Sequence, residues 1–330
     1  MIILVTGGAG YIGSVMVESL LAAGHTPVII DNLSRGHRAS VPAGVPLHEG
    51  DVRDAGLLGR VFEEHQIEAI LHFAASSLVG ESMRVPEEYF TNNVGGVIAL
   101  LRAAREHDVR RFIFSSSAAT YGDPSSIPIT EEAPTRPTNP YGESKLICER
   151  MLDWMGRCHG LRWIALRYFN AAGATASKGE DHAVETHLIP LALQVAAGRA
   201  ESLPVFGTDY ETPDGTCVRD YIHVADLAEA HLLALRALDT GFSGPYNLGN
   251  GRGFTVLEVI RSVERVTGKP LPWKAAERRP GDPPRLVASS ARARADLGWN
   301  PRLAELDSMV ESAWRWMRAN PRGYDDRPGS

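Results

Sequence analysis

A tyrosine and a lysine stand four residues apart, at Tyr141 and Lys145, in a segment that begins with Asn139-Pro140. Asparagine followed by proline is typical of a helix cap and first helical position, so both side chains are predicted to share one helix face. Upstream, a serine run that ends at Ser117 closes a segment typical of a buried strand. A hydroxyl, a phenol and an ammonium can together transfer a proton to or from a substrate hydroxyl. Because a Tyr/Lys pair of this spacing is common by chance, this hypothesis depends on the rest of the sequence.

The segment TGGAGYIG at 6–13 places glycines at Gly7, Gly10 and Gly13. It follows an apolar, strand-like run and opens a helix-like stretch, the context in which a glycine-rich turn binds a dinucleotide diphosphate. Gly7 permits the tight turn, Gly10 lets the backbone approach a phosphate, and Gly13 permits close packing of the helix. The free N–H groups at the start of the helix favour the anion.

An acidic residue, Asp31, ends the next strand-like run, 24 residues after Gly7. A carboxylate at this place accepts hydrogen bonds from the adenosine ribose and repels a 2′-phosphate, so the sequence predicts NAD rather than NADP. Arg35 and Arg38 follow within a few residues and keep NADP open as an alternative at this point. Asp51-Val52 follows a third strand-like run and is a weaker candidate for contact with the adenine.

The elements that must position these residues alternate between strands and helices. Apolar runs without alternation predict parallel strands at 2–6, 27–31, 69–73 and 111–115. Helices are predicted at 14–23, 140–158, near 188–197 and at 219–238, with a further helix opened by the capping box Thr255-Val256-Leu257-Glu258. The pattern predicts an α/β fold, a Rossmann-type doubly wound parallel sheet with a smaller C-terminal α/β substrate domain.

The chain of 330 residues is long enough for two domains. We expect a dinucleotide-binding domain at 1–170, onto which a segment at about 219–242 packs back, and a loop-rich substrate domain at 171–330. The polar tail at 322–330 is expected to be frayed.

The composition, with 44% hydrophobic and 22% charged residues, is that of a globular chain and excludes disorder. A net charge of −6 without a basic cluster argues against a nucleic-acid partner, and no apolar stretch is long enough to span a membrane. The apolar run at the amino terminus ends at Gly7-Gly8, too early for a signal peptide. The odd set Cys148, Cys158 and Cys217 suggests free thiols and a cytoplasmic location.

Longer motifs narrow the interpretation. The TGGAGYIG opening, Ser117 and the YGESK segment at 141–145 resemble the extended short-chain dehydrogenase/reductase superfamily, and further segments resemble one family within it, the UDP-glucose 4-epimerases (UDP-galactose 4-epimerases). Those segments are HFAASSLVGES (72–82), NNVGG (92–96), FIFSSSAATYGD (112–123), RYFN (167–170), LPVFG (203–207), GTCVRDYIHVADLAEAH (215–231), YNLGNG (246–251) and RRPGDP (278–283).

The resemblance implies tightly bound NAD and reversible inversion of C4 between UDP-galactose and UDP-glucose through a transient 4-keto sugar. It assigns Ser117 and Tyr141 to the 4-hydroxyl of the sugar and Lys145 to the nicotinamide ribose. Lys145, helped by the positive nicotinamide, is expected to lower the pKa of Tyr141 towards neutrality. The residues implied for the cofactor are Gly7, Gly10, Tyr11, Ile12, Gly13, Asp31, Asn32, Asp51, Val52, Phe73, Ala74, Ala75, Asn92, Ser115, Tyr141, Lys145 and Tyr168.

The resemblance also implies a UDP-binding group in the second domain and a homodimer built through the Tyr141 helix and the helix near 93–107. Two fixed cations, Arg219 and Arg279, suit the charge of a diphosphate. The residues implied for the substrate are Ser117, Tyr141, Asn170, His187, Leu188, Phe206, Arg219, Arg279, Asp282 and Leu286. His182, Glu185 and His187 could suggest a metal, but their spacing is not a usual ligand pattern, and no metal is predicted.

Two departures from the family pattern matter. Ser76-Ser77 stand where some relatives carry a lysine near the cofactor phosphates, which could weaken NAD binding. Leu286 is intermediate in size at a pocket wall, so UDP-N-acetylhexosamines stay open as additional substrates. A 4,6-dehydratase is disfavoured because Ala118-Ala119 replace its usual acid and base, and a silent NAD-binding protein is disfavoured because Ser117, Tyr141 and Lys145 are all kept.

Overall fold

The strands of the protein are short and mostly buried. The computed structural model describes residues 1–279 and 283–326. Its strands are β1 (Ile2–Thr6), β2 (Thr26–Asp31), β3 (Leu47–Glu49), β4 (Ala69–His72), β5 (Arg111–Ser117), β6 (Arg162–Tyr168), β7 (Asn170–Ala172), β8 (Leu203–Phe206), β9 (Val218–Arg219), β10 (Tyr221–His223), β11 (Gly244–Leu248), β12 (Phe254–Thr255), β13 (Trp273–Ala276) and β14 (Arg285–Leu286).

The helices flank these strands. They are α1 (Tyr11–Ala22), α2 (Ala55–His65), α3 (Val79–Ser82), α4 (Pro86–Tyr89), α5 (Gly95–Glu106), α6 (Pro140–His159), α7 (Leu188–Ala196), α8 (Val224–Ala237), α9 (Val256–Thr267), α10 (Ala291–Leu297) and α11 (Leu306–Ala319). A π-helical turn at Phe90–Val94 joins α4 to α5. None of the helices in the described part of the chain combines the length and the apolar composition needed to cross a membrane.

The central sheet has seven strands in the order β11-β6-β5-β4-β1-β2-β3, and every neighbouring pair in it is parallel. The sequence of strands runs outward in both directions from the neighbours β1 and β4, which marks the switch point of a doubly wound fold. Ligands bind in such folds at the switch point, beyond the carboxyl ends of the strands. The predicted fold class is therefore confirmed. Residues that follow β1, β2, β4 and β5 are brought to one edge of the sheet.

Local signals set the helix bounds. The Asn139 side chain accepts a hydrogen bond from the backbone N–H of Gly142 at 2.9 Å, and α6 ends before Gly160, which has a left-handed φ of 69°. The predicted capping box at the start of α9 is confirmed, because Thr255 and Glu258 cap each other's backbone N–H groups. The predicted helix at 14–23 begins earlier, at Tyr11, so the glycine-rich turn leads directly into it.

The predicted helix at 219–238 is wrong in its first turn. Strands β9 and β10 occupy that stretch, and α8 begins only at Val224. The carboxylate of Asp220 accepts hydrogen bonds from the backbone N–H groups of Asn250, Gly251 and Ala288 at 2.7–3.0 Å. These bonds tie the extended backbone to two other segments, an arrangement that helical periodicity does not reveal.

Two layers of apolar side chains cover the faces of the central sheet, and a separate core lies in the C-terminal half. The sheet layers include Leu227 of α8 and Trp299, which follows α10. The second core is built around α7, α9 and α11, with Leu193, Val259 and Met309 buried in it. More of the chain than the predicted segment 219–242 packs back onto the first half, because β11 and Trp299 also join the central sheet and its core.

The expected fraying of the tail is wrong for 322–326. The ring of Tyr324 stacks on His37 with 4.9 Å between centroids, and a carboxylate oxygen of Asp326 accepts a hydrogen bond of 2.7 Å from the backbone of Ala39. These contacts fix the tail against the first half of the chain. The last four residues of the chain, 327–330, lie outside the described part.

Candidate active site

The glycine-rich turn leaves room for an anion. Gly7 has a φ of +73°, and a Cβ added there would lie 2.6 Å from the backbone nitrogen of Ala74. A Cβ at Gly13 would lie 2.0 Å from the carbonyl oxygen of Gly7. Within the described residues, no side chain caps the start of α1 at Gly10, and its first turn holds no acidic residue. The turn and the free helix N–H groups therefore fit the diphosphate of NAD.

Asp31 lies at the end of β2, beside this turn. Its carboxylate accepts hydrogen bonds from the backbone N–H groups of Ala9 at 3.0 Å and Leu33 at 2.9 Å. Burial raises the pKa of Asp31, and those two backbone hydrogen bonds oppose the rise. A carboxylate has about four acceptor positions, so this one can still accept from ribose hydroxyls.

The two arginines that kept NADP open have carboxylate partners of their own. Arg35 donates to Glu81 at 3.0 Å, and Arg38 forms an ion pair with Glu49. In both pairs a glutamate neutralises the arginine's positive charge, so neither arginine is left to attract a 2′-phosphate near Asp31. The electrostatics at this end of the site therefore favour a ribose with a free 2′-hydroxyl, as in NAD.

The other residues predicted to bind the cofactor are distributed around the same edge of the sheet. The Tyr11 hydroxyl donates to the carbonyl oxygen of Gly173 at 2.6 Å, and the Phe73 ring lies 5.0 Å from that of His231. The carboxylate of Asp51 accepts two hydrogen bonds from the Arg53 guanidinium, which lower its pKa. The remaining positions are Ile12 in α1, Asn32 after β2, Val52 after β3, Ala74 and Ala75 after β4, and Asn92 in the π-helical turn.

Ser117 and Tyr141 meet where β5 ends above the first turn of α6. The Tyr141 side chain is half-buried; desolvation raises its pKa, and a hydrogen bond with Ser117 acts in the opposite direction. The Ser117 oxygen also accepts a hydrogen bond of 3.1 Å from the backbone N–H of Ala119. The two hydroxyls are therefore placed to share one substrate oxygen and pass a proton between them.

Lys145 lies one helical turn from Tyr141. Its Nζ atom donates to the carbonyl oxygen of Ser115 at 2.7 Å and lies 5.9 Å from the centroid of the Tyr141 ring. Burial lowers the pKa of Lys145 to about 8. The expectation that this cation brings Tyr141 towards neutrality is not met by the chain alone, because burial dominates and the pKa of Tyr141 is raised.

A polar chain that the sequence reasoning missed holds the Tyr141 turn in place. Asn93 accepts from the backbone N–H of Ser76 at 2.8 Å and donates to the Ser144 hydroxyl at 2.9 Å. Ser144 in turn donates to the carbonyl oxygen of Tyr141 at 2.7 Å. In the sequence, this chain is indicated only by the NNVGG segment, of which Asn92, and not Asn93, was predicted to contact the cofactor.

A buried ion pair lies behind the serine strand. Arg167 of β6 donates to both carboxylate oxygens of Glu149 on α6, at 2.9 and 2.5 Å, and both side chains are at most 6% exposed. The Ser116 hydroxyl donates to the same carboxylate at 2.5 Å. Through Glu149, these bonds join both β6 and β5 to the helix that carries Tyr141 and Lys145. Tyr168, predicted to contact the cofactor, is buried nearby and bonded to His231.

Apart from Ser117 and Tyr141, the residues predicted to bind substrate lie in the second half of the chain. Arg219 of β9 and Leu286 of β14 are register partners, and Arg219 donates to the carbonyl oxygen of Pro283 at 2.9 Å. The Arg279 guanidinium lies 4.0 Å from the centroid of the Phe206 ring. Asn170 donates to the carbonyl oxygen of Asp220 at 2.8 Å, and Leu188 begins α7. The predicted residue Asp282 lies outside the described residues.

The histidines for which no metal was predicted lie together with two glutamates. Glu180, His182, Glu185 and His187, here called the His/Glu cluster, each place a ligand atom within 4.8 Å of the others. Burial lowers the pKa of each histidine, but Glu180 and Glu185 outweigh it and raise the values to about 9 for His182 and about 10 for His187. Glu180, which stands two residues before His182, was not among the residues considered from the sequence.

Comparison with known proteins gives a consistent result. Residues 3–249 match the NAD dependent epimerase/dehydratase family. A UDP-glucose 4-epimerase of Streptomyces lividans is 55% identical over 98% of both chains. A solved UDP-glucose 4-epimerase structure is 51% identical with a TM-score of 0.96, covering 99% of this chain and all of the other. The Bifidobacterium longum enzyme, solved with NAD⁺ and UDP, is 41% identical with a TM-score of 0.93, covering 98% of this chain and all of that one.

Proposed function

The chain belongs to the NAD dependent epimerase/dehydratase family, and we propose that it interconverts UDP-galactose and UDP-glucose by inverting C4 of the sugar. The protein is an NAD-dependent enzyme, and the reaction passes through a transient 4-keto sugar. The observation that carries this proposal is the meeting of Ser117 and Tyr141 next to a turn and a carboxylate that fit NAD.

The hydroxyl groups of Tyr141 and Ser117 carry out the proton transfer. Tyr141, as the phenolate, takes the proton of the 4-hydroxyl, and Ser117 bonds the same oxygen and relays the proton. When bound here, NAD⁺ would supply the acceptor, and as NADH the donor, of the C4 hydride, and its nicotinamide would add a positive charge beside the tyrosine. Lys145 adds a second positive charge, and its hydrogen bond to Ser115 fixes the position of that charge.

The UDP part of the substrate is bound by the second half of the chain. Arg219 and Arg279 supply fixed positive charge for the diphosphate, and Phe206 provides an apolar face under one of them. Asn170, His187 and Leu188 complete this group in the proposal. Binding through UDP leaves the sugar free to turn over, so that the hydrogen returns to its other face.

Leu286 supports a wider substrate range. It lies on β14 next to Arg219, and its side chain is smaller than an aromatic ring at the same wall would be. We therefore include the UDP-N-acetylglucosamine and UDP-N-acetylgalactosamine pair as additional substrates. An assay with UDP-N-acetylgalactosamine tests this directly, and complete absence of turnover would limit the enzyme to plain hexoses.

A dehydratase of the same family shares the first half of the reaction but needs an added acid and base. Ala118 and Ala119 occupy the turn after Ser117, and neither side chain can move a proton. The dehydration step therefore has no group to perform it at this position.

One assay separates these functions. Purified protein is mixed with UDP-galactose, without added NAD, and the sugars are followed by NMR. An epimerase forms UDP-glucose up to equilibrium, a dehydratase forms a 4-keto-6-deoxy sugar, and a silent NAD-binding protein leaves the substrate unchanged. Either of the last two results would overturn the proposal.

We also propose a cytoplasmic homodimer for the enzyme. Trp154 on α6 is 62% exposed and Ile98 on α5 is 37% exposed, so both helices of the predicted interface present apolar surface. Cys148, Cys158 and Cys217 are free, as expected in a reducing compartment. Sedimentation of the wild type beside Trp154→Glu tests the dimer: the wild type should sediment as a dimer, and the variant should shift towards monomer.

A further inference from the structure

Four side chains that could bind a metal lie in one loop, and one of them, His187, also belongs to the proposed UDP-binding group, with its Nδ1 atom towards the loop's glutamates. The His/Glu cluster of Glu180, His182, Glu185 and His187 lies between β7 and α7 and follows the pattern E-x-H-x-x-E-x-H. Two imidazoles and two carboxylates form a donor set that binds zinc and related transition metals, whereas magnesium and calcium prefer oxygen ligands alone.

Several nitrogen–oxygen separations within the His/Glu cluster are close to those of a tetrahedral zinc site, with Glu185 turning a different oxygen towards each histidine. Nδ1 of His182 lies 3.3 Å from Oε1 of Glu180 and 3.4 Å from Oε2 of Glu185. Nδ1 of His187 lies 3.2 Å from Oε1 of Glu185 and 2.5 Å from Oε1 of Glu180. Ligand atoms at about 2.0–2.1 Å from a tetrahedral zinc ion are about 3.3 Å from one another. Three of these four separations already have that length.

One oxygen in the His/Glu cluster lacks a proper donor. The Glu180 side chain is only 7% exposed, and its Oε1 atom has no hydrogen-bond partner among the described residues. His187 is close to this oxygen but is not oriented to donate a hydrogen bond to it. Glu180 and Glu185 raise the pKa of both imidazoles, so without a metal the charge of this carboxylate is balanced by protonated histidines. A divalent cation would take the place of their protons as the partner of the two carboxylates.

A cation has a path to the His/Glu cluster. Glu180, His182 and Glu185 line a cavity of about 330 Å³ whose far wall is formed by α11 and the segment after it, including Trp316 and Asn320. The His187 side chain is 49% exposed, so the cluster can also be reached from its other side. Glu180, His182 and Glu185 therefore face the cavity, and His187 faces the opposite, exposed side.

We propose that the His/Glu cluster binds one divalent transition-metal ion, with zinc as the preferred occupant. Four ligands from the protein make this a closed, structural site with no position for substrate. The ion would hold the loop at 180–187 against the cofactor turn, since the His182 ring lies 6.4 Å from that of Tyr11. It would also fix the start of α7, where Leu188 follows the last ligand. The inference shares His187 with the proposed UDP-binding group, and its test therefore measures bound metal rather than substrate.

The test measures metal rather than turnover. The NAD-bound protein is stripped with a chelator, reloaded with zinc sulfate, desalted and analysed by inductively coupled plasma mass spectrometry. We expect one zinc ion per chain for the wild type and nearly none for His182→Ala or Glu185→Gln. Retained NAD and a cooperative melting transition show that each variant is folded.

A second group of ligands serves as the matched control. His48, Glu64 and His65 bring three potential ligand atoms together elsewhere, with His48 and His65 Nε2 atoms 2.8 Å apart. His48→Ala should keep one zinc ion per chain if the His/Glu cluster is the site. Zinc lost in His48→Ala but kept in His182→Ala would overturn the proposal.

Cobalt reports the geometry. Cobalt added to the stripped wild type should give the intense visible absorption of a tetrahedral site with nitrogen and oxygen ligands, and Glu185→Gln should lose it. Zinc should also raise the melting temperature of the wild type but not of His182→Ala. A stripped wild type that takes up no zinc, or that shows neither change, would disprove the site even if the enzyme epimerises UDP-galactose.

Discussion

The ammonium group of Lys145 donates a 2.7 Å hydrogen bond to the carbonyl oxygen of Ser115, two residues before the end of β5. The same strand ends with Ser117, which lies beside Tyr141 of the same helix, so strand and helix meet on both sides of the reacting position. Lys145 is therefore held by the sheet, and its charge remains in place when the tyrosine loses or gains a proton.

Lys145 makes the stability of the NAD-free protein depend on pH. Burial lowers its pKa from 10.5 to about 8, so between these values the unfolded chain binds a proton that the folded chain has released. The free energy of unfolding must then rise with pH from about 8 to about 10.5. Lys145→Met should lack this rise. Urea unfolding of both proteins across the window measures it, and parallel curves would contradict the assignment.

Tyr141→Phe removes a hydroxyl and keeps the ring. Because Tyr141 is the proposed base, turnover should fall by about 10²–10⁴-fold. Affinity for UDP should change little, since the UDP contacts lie in the other half of the chain. A coupled assay and calorimetry with UDP measure the two effects. Tyr89→Phe is a matched control, because Tyr89 bonds Leu78 and Glu81 rather than Ser117. Near-normal turnover in Tyr141→Phe would remove the proposed base.

Asp31→Asn should weaken retention of NAD. The amide keeps an acceptor for the backbone of the glycine-rich turn but loses the negative charge and one acceptor position for the ribose. NAD released on denaturation, measured per chain after gel filtration, should be lower than for the wild type. Glu49→Gln, on the neighbouring strand and 55% exposed, should retain NAD normally. Equal retention in Asp31→Asn would place the ribose elsewhere.

Arg219→Ala and Arg279→Ala should each weaken UDP binding. A hydrogen bond to a charged group contributes about 1.5–3 kcal/mol, so each dissociation constant should rise by about 10- to 150-fold. Arg278→Ala is the control, because Arg278 is adjacent in sequence but pairs with Asp209 and stacks on Tyr210 at 4.1 Å. Calorimetric titration with UDP distinguishes them. If all three variants bind alike, the diphosphate does not lie between these arginines.

Glu149→Gln should destabilise the fold. It removes one partner of a buried ion pair and leaves Arg167 with uncompensated charge, a change that typically costs about 3–5 kcal/mol. Asp239→Asn breaks exposed pairs with Arg111 and Arg162 and should cost less than about 1 kcal/mol. Urea unfolding measures both. If both variants lose the same free energy of unfolding, the burial of the Glu149–Arg167 pair does not determine its contribution to stability.

The sequence predicts β1, β2, β4 and β5 of the central sheet, because buried parallel strands appear as continuous apolar runs, and the alternation of strands and helices predicts the doubly wound fold class. It does not predict the order of the seven strands, which depends on pairing between distant segments. The glycine-rich turn, Asp31 and Tyr141 are readable because each depends on its immediate neighbours. The strands β9 and β10 were missed because Asp220 holds them by bonds to distant segments. Asn93 and the ion pair of Glu149 with Arg167 were missed for the same reason, since pairing over long sequence separations leaves no local period.

The position of β11 has a consequence for how the protein is made. This strand, together with α8 and Trp299, belongs to the nucleotide-binding half, but in the chain it comes after the stretch at 171–223, which includes α7 and β8 of the other half. A ribosome therefore cannot release a finished N-terminal half before the C-terminal half has largely emerged, unlike chains whose domains fold one after the other. A fragment that stops at residue 170 would expose the flank of β6 and part of the sheet surface to solvent, where unpaired strand edges invite aggregation.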